Sequence, residues 1–175
     1  MALPFRTEMI PIETERKFLI AMPDINMISK LEGTRIKHIE QTYVEDEDGK
    51  NARVRRIEEN GAIYFVKTIK QRISTLSSFE DEYEIDLISY ERELKNAIKD
   101  KKTVTKTRYC VPFASHVLEI DIYPFWQDRA ILEIELHRED ESFSLPEYIN
   151  VIKEVSEDPR YKNTNLAKSV PFDEI

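Results

Sequence analysis

The chain contains little cysteine, little glycine and no long apolar run. Its single cysteine, Cys110, excludes an internal disulfide and a cysteine metal cluster. No apolar run approaches the roughly 18 residues that a membrane-spanning helix needs. Residues 1–12 include Arg6 and Glu8 and lack the continuous apolar region of a secretory signal. These absences predict a protein of the reducing cytoplasm with no membrane partner.

Positive charge is also scarce. The 26 lysines and arginines are outnumbered by 34 aspartates and glutamates, which gives a net charge of −8. A negative chain is not attracted to a phosphate backbone, so we expect no nucleic acid partner. The length of 175 residues predicts one domain, 1–175. The oligomeric state stays open, with a homodimer among the options.

Alternation of polar and apolar residues is the dominant pattern, and it is typical of β-strands. It runs over eight segments: 11–20, 35–44, 52–59, 62–71, 79–87, 103–111, 116–123 and 130–138. Asn60-Gly61 supplies the positive φ of a tight turn and predicts a hairpin between two of them, and Asp48-Gly49 marks another turn. The sequence therefore predicts an α+β protein that is mainly antiparallel β.

Helical spacing interrupts this pattern in a few places. Apolar residues recur three and four positions apart from Leu87 to Ile98, which predicts an amphipathic helix with Ser89 as its N-cap. Three further short helical segments are expected, at 24–32 (opened by Asp24), at 146–152 and at 160–169.

Ionisable residues repeat on one face of most of the strands. The sets are Glu13, Glu15 and Lys17; Arg53 and Arg55; Glu80, Glu82, Glu84 and Asp86; Lys106 and Arg108; Glu119 and Asp121; and Glu133 and Glu135. One interpretation is a solvated face with cross-strand ion pairs. If the sheet closes into a barrel, the same face could instead line a tunnel. Carboxylates there would suit Mg²⁺ or Mn²⁺, and arginines and lysines would suit phosphate. The pattern alone leaves both interpretations open.

A resemblance to a known family favours the tunnel. The segment Ile12–Ile20 resembles the opening strand of the CYTH superfamily, the triphosphate tunnel metalloenzymes, whose hallmark is Glu-x-Glu-x-Lys. Further family motifs follow in order: Gln41-Thr42-Tyr43, Arg53-Val54-Arg55, the strand ending at Lys70, Glu82-Tyr83-Glu84, Lys106-Thr107-Arg108, Glu119-Ile120-Asp121 and Glu133-Ile134-Glu135. The resemblance covers residues 11–168.

This resemblance implies a closed eight-stranded antiparallel barrel with a charged tunnel and flanking helices. It further implies a divalent-metal-dependent hydrolase of triphosphate-bearing small molecules, above all inorganic tripolyphosphate. The implied metal ligands are Glu13, Glu15, Glu119, Asp121, Glu133 and Glu135. The implied triphosphate contacts are Lys17, Arg53, Arg55, Lys70, Lys106, Arg108 and, at the tunnel mouth, Lys162.

Tyr43 resembles a family proton acceptor but could equally be a packed aromatic, since an unperturbed phenol is a poor base. Glu82 and Glu84 would orient water or hold the basic residues in place.

The chain departs from the family at Glu80, where short bacterial relatives often carry arginine, so one phosphate contact is in doubt. Three alternatives stay open: an adenylyl cyclase of the same fold, a thiamine or nucleoside triphosphatase, and a non-catalytic polyphosphate-binding module. The intact Glu-x-Glu pairs argue against the last, and no sequence feature specifies the adenine pocket that a cyclase needs.

Overall fold

The computed structural model describes residues 11–46 and 51–175, and these form nine strands and a few short helices. The strands are β1 Ile12–Ala21, β2 Arg35–Glu45, β3 Asn51–Glu59, β4 Ala62–Arg72, β5 Ser77–Ile85, β6 Val104–Phe113, β7 His116–Ile122, β8 Arg129–Leu136 and β9 Val151–Glu154. The α-helices are α1 Ile25–Ile28, α2 Leu87–Leu94 and α3 Asn163–Leu166, and a 3₁₀ turn covers Pro159–Tyr161. Over the described ranges, no helix is long and apolar enough to cross a membrane.

Eight of the strands close into the predicted antiparallel barrel. Their order around the barrel is β5-β4-β3-β2-β6-β7-β8-β1, and a short antiparallel pairing of β1 with β5 completes the ring. That closing contact joins Ile12–Thr14 to Ser77–Phe79, whereas β1 pairs with β8 over most of its length, from Thr14 to Ala21. The ninth strand, β9, adds to β1 beyond the end of β5.

The hairpin turns follow the backbone preferences of their residues. Asn60 and Gly61 have φ of 52° and 77°, as the predicted β3–β4 hairpin requires. Between β6 and β7, Ala114 takes φ of 51° without the conformational freedom of glycine, at a cost of about 1–2 kcal/mol. The predicted turn at Asp48-Gly49 lies outside the described residues.

The helix predictions need correction at their ends. The N-cap of α2 is Asp86 rather than Ser89, because its carboxylate accepts the backbone N–H of Ser89 at 2.7 Å. That helix stops at Leu94. Asp24 does open α1, but only one turn follows.

The two C-terminal helix predictions fare differently. The segment 146–152 makes a turn, with the Ile149 N–H bonded to the Pro146 carbonyl at 3.0 Å, and then enters strand β9, which the sequence analysis missed. The expected helix in 160–169 is present as α3.

The hydrophobic core lies mostly outside the barrel wall. The apolar side chains of β1, β7 and β8 pack beneath α1 and the segment 143–149. They include Phe18, Ile20, Leu118, Ile120, Leu132 and Ile134. Since burying each large apolar side chain contributes about 1.5–3 kcal/mol, this packing fixes which face of each strand points outward. The charged alternate residues are consequently directed into the barrel.

A second apolar cluster closes one end of the barrel. Leu19, Tyr43 and Ile131 point inward there and meet Tyr161 and Leu166 of the C-terminal segment. The charged part of the interior therefore opens toward the other end.

Candidate active site

The barrel interior collects charged side chains from seven of its eight strands, with the polar Gln41 and Tyr43 from β2. Those with less than a tenth of their surface exposed are Lys17, Arg55, Glu80, Lys106, Asp121 and Glu133. Burial of this many ionisable groups is costly unless they are paired. The tunnel interpretation of the charge pattern is therefore the one that the fold adopts.

Arg108 is the centre of the deepest ion-pair network. Its guanidinium donates to Asp121 from Nε at 2.7 Å, to Glu133 from Nη2 at 2.7 Å, and to Glu119. Lys106 adds a contact of 2.6 Å to Asp121. Acidic and basic residues from β6, β7 and β8 thus neutralise each other.

Electrostatics keep these groups ionised despite their burial. Burial disfavours the charged form of Glu133, but Lys17, 2.9 Å away, and Arg108 outweigh it and hold the pKa of Glu133 well below its usual value. Burial and the neighbouring Arg108 lower the pKa of Lys106 to about 8, partly offset by Asp121.

A second basic group lies on β3. Arg55 is paired with Glu82, whose carboxylate also accepts the Thr68 hydroxyl at 2.8 Å. Burial and the adjacent Arg53 lower the pKa of Arg55 to about 10. The Nε atoms of both arginines are buried and have no acceptor among the described residues. An unpaired buried donor costs about 1–3 kcal/mol, so an acceptor from outside the described chain would stabilise both arginines.

Glu80 has a role that differs from a phosphate contact. It is almost fully buried, binds Lys70, and lies 3.6 Å from Arg53. Its carboxyl group is also hydrogen-bonded to Glu13, and burial, together with Glu80, raises the pKa of Glu13 to about 8. The two carboxyl groups therefore share a proton at neutral pH.

Carboxylates crowd near the open end of the tunnel. Burial and the charges of Glu119, Glu15 and Glu80 raise the pKa of Glu135, and Glu135 in turn acts on Glu13. Over residues 11–46 and 51–175, no three acidic, histidine or cysteine side chains are already arranged to hold a metal ion. The possible metal ligands are all carboxylate oxygens, which Mg²⁺ and Mn²⁺ prefer. A bound cation would also offset the repulsion between these carboxylates. The residues thus fit a hard divalent cation once their side chains reorient.

Tyr43 does not have the properties of a base. Gln41 Nε2 donates to its hydroxyl oxygen at 2.8 Å. Burial raises the pKa of Tyr43, although the neighbouring Arg53 and Lys17 oppose this rise. The condition for Tyr43 to accept a proton, a lowered pKa, is not met.

The remaining predicted residues lie at the tunnel mouth or on the surface. Lys162 lines a small cavity together with Glu15, Lys17 and Lys70. Glu84 is exposed at the end of β5. Arg72, which the sequence analysis missed, lines the same cavity as Lys162. It is two residues after Lys70 on β4, so the alternation that identified the other tunnel residues already contained its signal.

Comparison with known proteins agrees with this architecture. The CYTH domain family model matches residues 11–168. The chain is 30% identical to an inorganic triphosphatase of Acetivibrio thermocellus over 158 residues, which cover 90% of this chain and 94% of that protein. It is 26% identical to the inorganic triphosphatase NE1496, whose crystal structure superposes with a TM-score of 0.54 over 94% of this chain and 99% of that chain. The PH1819 protein from Pyrococcus horikoshii OT3, at 19% identity, shares the fold with a TM-score of 0.53 over 73% of this chain and 80% of that chain. On these matches and on its charged eight-stranded barrel, the chain belongs to the CYTH domain family.

Proposed function

We propose that this protein is a divalent-metal-dependent triphosphatase that hydrolyses inorganic tripolyphosphate by attack of water inside the tunnel. One observation carries the proposal: Arg53 and Arg55, two residues apart on the inner face of β3, each have a buried Nε donor with no acceptor among the described residues. The 30% identity to an inorganic triphosphatase supports the same substrate.

The substrate would be held by the cationic wall of the tunnel. The proposed contacts are Lys17, Arg53, Arg55, Lys70, Lys106, Arg108 and Lys162. Phosphate oxygens would replace carboxylates such as Glu82 and Glu80 as acceptors for these donors. Arginine suits this role because its planar fork binds two oxygens at once.

Mg²⁺ or Mn²⁺ would be bound by the carboxylates of the open end. The proposed ligands are Glu13, Glu15 and Glu135, together with Glu119, Asp121 and Glu133, which become available only if Lys17, Lys106 and Arg108 leave them. A bound cation would offset the negative charge of phosphate oxygens and favour transfer of a phosphoryl group. At neutral pH, the proton shared by Glu13 and Glu80 would have to leave before Glu13 could bind the divalent cation.

The protein would contribute mainly position and charge. Water attacks a terminal phosphorus atom, the bond from that phosphorus to the bridging oxygen breaks, and orthophosphate and pyrophosphate leave. Arg53 and Arg55 would stabilise the charge spread over the transferring phosphoryl oxygens. Glu82, whose side chain is 44% exposed beside Arg55, would orient the water and accept its proton. Tyr43 would act as a hydrogen-bond donor rather than as a base.

A substrate panel tests this assignment against the alternatives. Tripolyphosphate, ATP and thiamine triphosphate would each be incubated with Mg²⁺ or Mn²⁺, and both phosphate and cyclic AMP would be measured. We expect phosphate release, fastest from tripolyphosphate, and no cyclic AMP. Cyclic AMP as the main product from ATP would favour a cyclase, and binding without any turnover would favour a polyphosphate-binding module.

Ligand binding should also stabilise the fold, because it relieves repulsion among the tunnel cations. A ligand at about 100 times its dissociation constant adds roughly 2.7 kcal/mol to the free energy of unfolding. For a domain of this size, this corresponds to a rise in melting temperature of roughly 5–10 °C. Differential scanning fluorimetry at matched ionic strength should show this rise with tripolyphosphate and a much smaller one with orthophosphate. Equal shifts would indicate general ionic stabilisation and no triphosphate-shaped site.

A further inference from the structure

A small cationic cavity lies at the side of the tunnel, between β1, the β4–β5 turn and the segment that follows β9. Its volume is about 20 Å³. Four cations line it, Lys17, Lys70, Arg72 and Lys162, with the hydroxyl-bearing residues Thr75, Ser77, Ser78 and Ser156 and one carboxylate, Glu15. We call these residues the mouth site.

Two of these cations have no acidic partner. Lys17 is paired with Glu133 and Lys70 with Glu80, whereas Arg72 and Lys162 make no ion pair among the described residues. Arg72 Nη1 instead donates to the Thr75 carbonyl at 2.9 Å, which holds the guanidinium against the β4–β5 turn. The mouth site thus has an excess of positive charge that the rest of the tunnel lacks.

Like charges approach one another closely here. Partial burial and the charges of Arg72, Lys17 and Lys70 lower the pKa of Lys162. Such crowding is unfavourable in the free protein, and an anion among these groups would relieve it. The surrounding hydroxyls add neutral donors for oxygen atoms.

We propose that the mouth site binds the terminal phosphoryl group of a linear triphosphate, with Arg72 as a substrate-binding residue. The inference rests on the proposed function. The cavity has about the volume of one water molecule, so it has room for one oxygen of a phosphoryl group and not for a longer segment, and the side chain of Arg72 is exposed beside it. A terminal phosphoryl group offers three acceptor oxygens, which match an arginine, a lysine and the hydroxyls better than an internal phosphate does.

A cyclic triphosphate distinguishes this site from general attraction, since trimetaphosphate carries three phosphates but no terminal one. Calorimetry without added metal would compare linear tripolyphosphate and trimetaphosphate on wild-type protein and on Arg72→Ala. We expect Arg72→Ala to weaken binding of the linear anion roughly tenfold or more, the effect of one charge-assisted hydrogen bond, and to change binding of the cyclic anion less than twofold. Arg72→Lys should restore only part of the loss.

A matched control keeps the test specific. Arg92→Ala removes an exposed arginine from α2, far from the barrel interior, and should affect neither anion. In turnover, Arg72→Ala should raise KM for tripolyphosphate with kcat nearly unchanged, as expected for a ground-state contact.

Two outcomes would overturn the mouth site. One is an equal loss of affinity for the linear and cyclic anions, and the other is no loss for either. Because binding is measured without turnover, a wild-type protein that binds tripolyphosphate but never hydrolyses it would refute the proposed function and leave the mouth site intact.

Discussion

Replacing Arg55 with alanine should lower kcat for tripolyphosphate by roughly 10²–10³, the usual loss when one preorganised donor to a developing charge is removed. Arg55 is buried, its Nε lacks an acceptor among the described residues, and its one carboxylate partner, Glu82, is half-exposed. The substitution therefore leaves a carboxylate that water can solvate, and the barrel should stay folded. Arg53→Ala should act in the same direction.

The next residue of β3 provides a matched control. Arg56 has the same side chain, but it points outside the barrel and lies 3.7 Å from Glu58. Arg56→Ala should therefore leave kcat and KM within about twofold of wild type, since exposed ion pairs contribute little. Arg55→Lys should not restore activity fully, because an ammonium group lacks the planar fork. Similar kinetics for Arg55→Ala and Arg56→Ala would show that the proposed role of Arg55 is wrong.

Replacing Glu135 with glutamine should remove most activity, by roughly 10²-fold or more at a metal concentration that saturates wild type, while the protein stays folded. Glu135 is exposed and makes no ion pair among the described side chains, so its loss breaks no buried contact. The pKa of its carboxyl is raised by burial and by the nearby carboxylates of Glu119, Glu15 and Glu80. The amide removes a charged metal ligand without changing side-chain size. Loss of a group that only supports a metal ligand typically lowers metal affinity or activity 10–100-fold, so loss of a ligand itself should cost at least as much.

Glu133→Gln should behave differently from Glu135→Gln, although the two residues belong to the same motif. Glu133 is buried and binds both Lys17 and Arg108. Breaking such a pair leaves uncompensated buried charge and costs about 3–5 kcal/mol. We therefore expect a clear drop in melting temperature for Glu133→Gln and little change for Glu135→Gln.

Kinetics over a range of Mn²⁺ concentrations, combined with thermal unfolding, would test the predictions for Glu135→Gln and Glu133→Gln. Partial rescue of Glu135→Gln by high Mn²⁺, without a change in melting temperature, is the expected result. If Glu135→Gln kept wild-type activity at limiting Mn²⁺, Glu135 would not be a metal ligand.

The strands were predictable from their alternation, whereas the closed barrel was expected from the family resemblance. Taken alone, strand β1 could turn the face that carries Phe18 and Ile20 either into the barrel or away from it. Only the outward arrangement buries this apolar face beneath α1 and the segment 143–149. The short strand β9 was not predictable, because its four residues, Val151–Glu154, are ordered by pairing with β1 and not by their own pattern. The N-cap of α2 was misplaced because Asp86 also continued the acidic alternation of β5.

The composition of the site was predictable from motifs, but its pairings were not. Which carboxylates neutralise cations and which stay available depends on distances across the barrel, as the contrast between Glu133 and Glu135 shows. The burial of Glu80 against Glu13, Arg53 and Lys70 likewise follows from the closing contact of β1 with β5. Arg72 lies beyond the last family motif on β4, so the motifs did not identify it, although it continues the alternation of that strand.

The central claim, metal-dependent hydrolysis of tripolyphosphate, is tested most directly by measuring phosphate release from wild-type protein before and after chelation. Purified protein would be assayed with saturating Mg²⁺ or Mn²⁺, then with excess EDTA, and again after the metal is restored. The account predicts release of orthophosphate and pyrophosphate in equal amounts, a fall to background in EDTA, and recovery when metal returns. Undiminished release in EDTA, or no release with either cation, would contradict it.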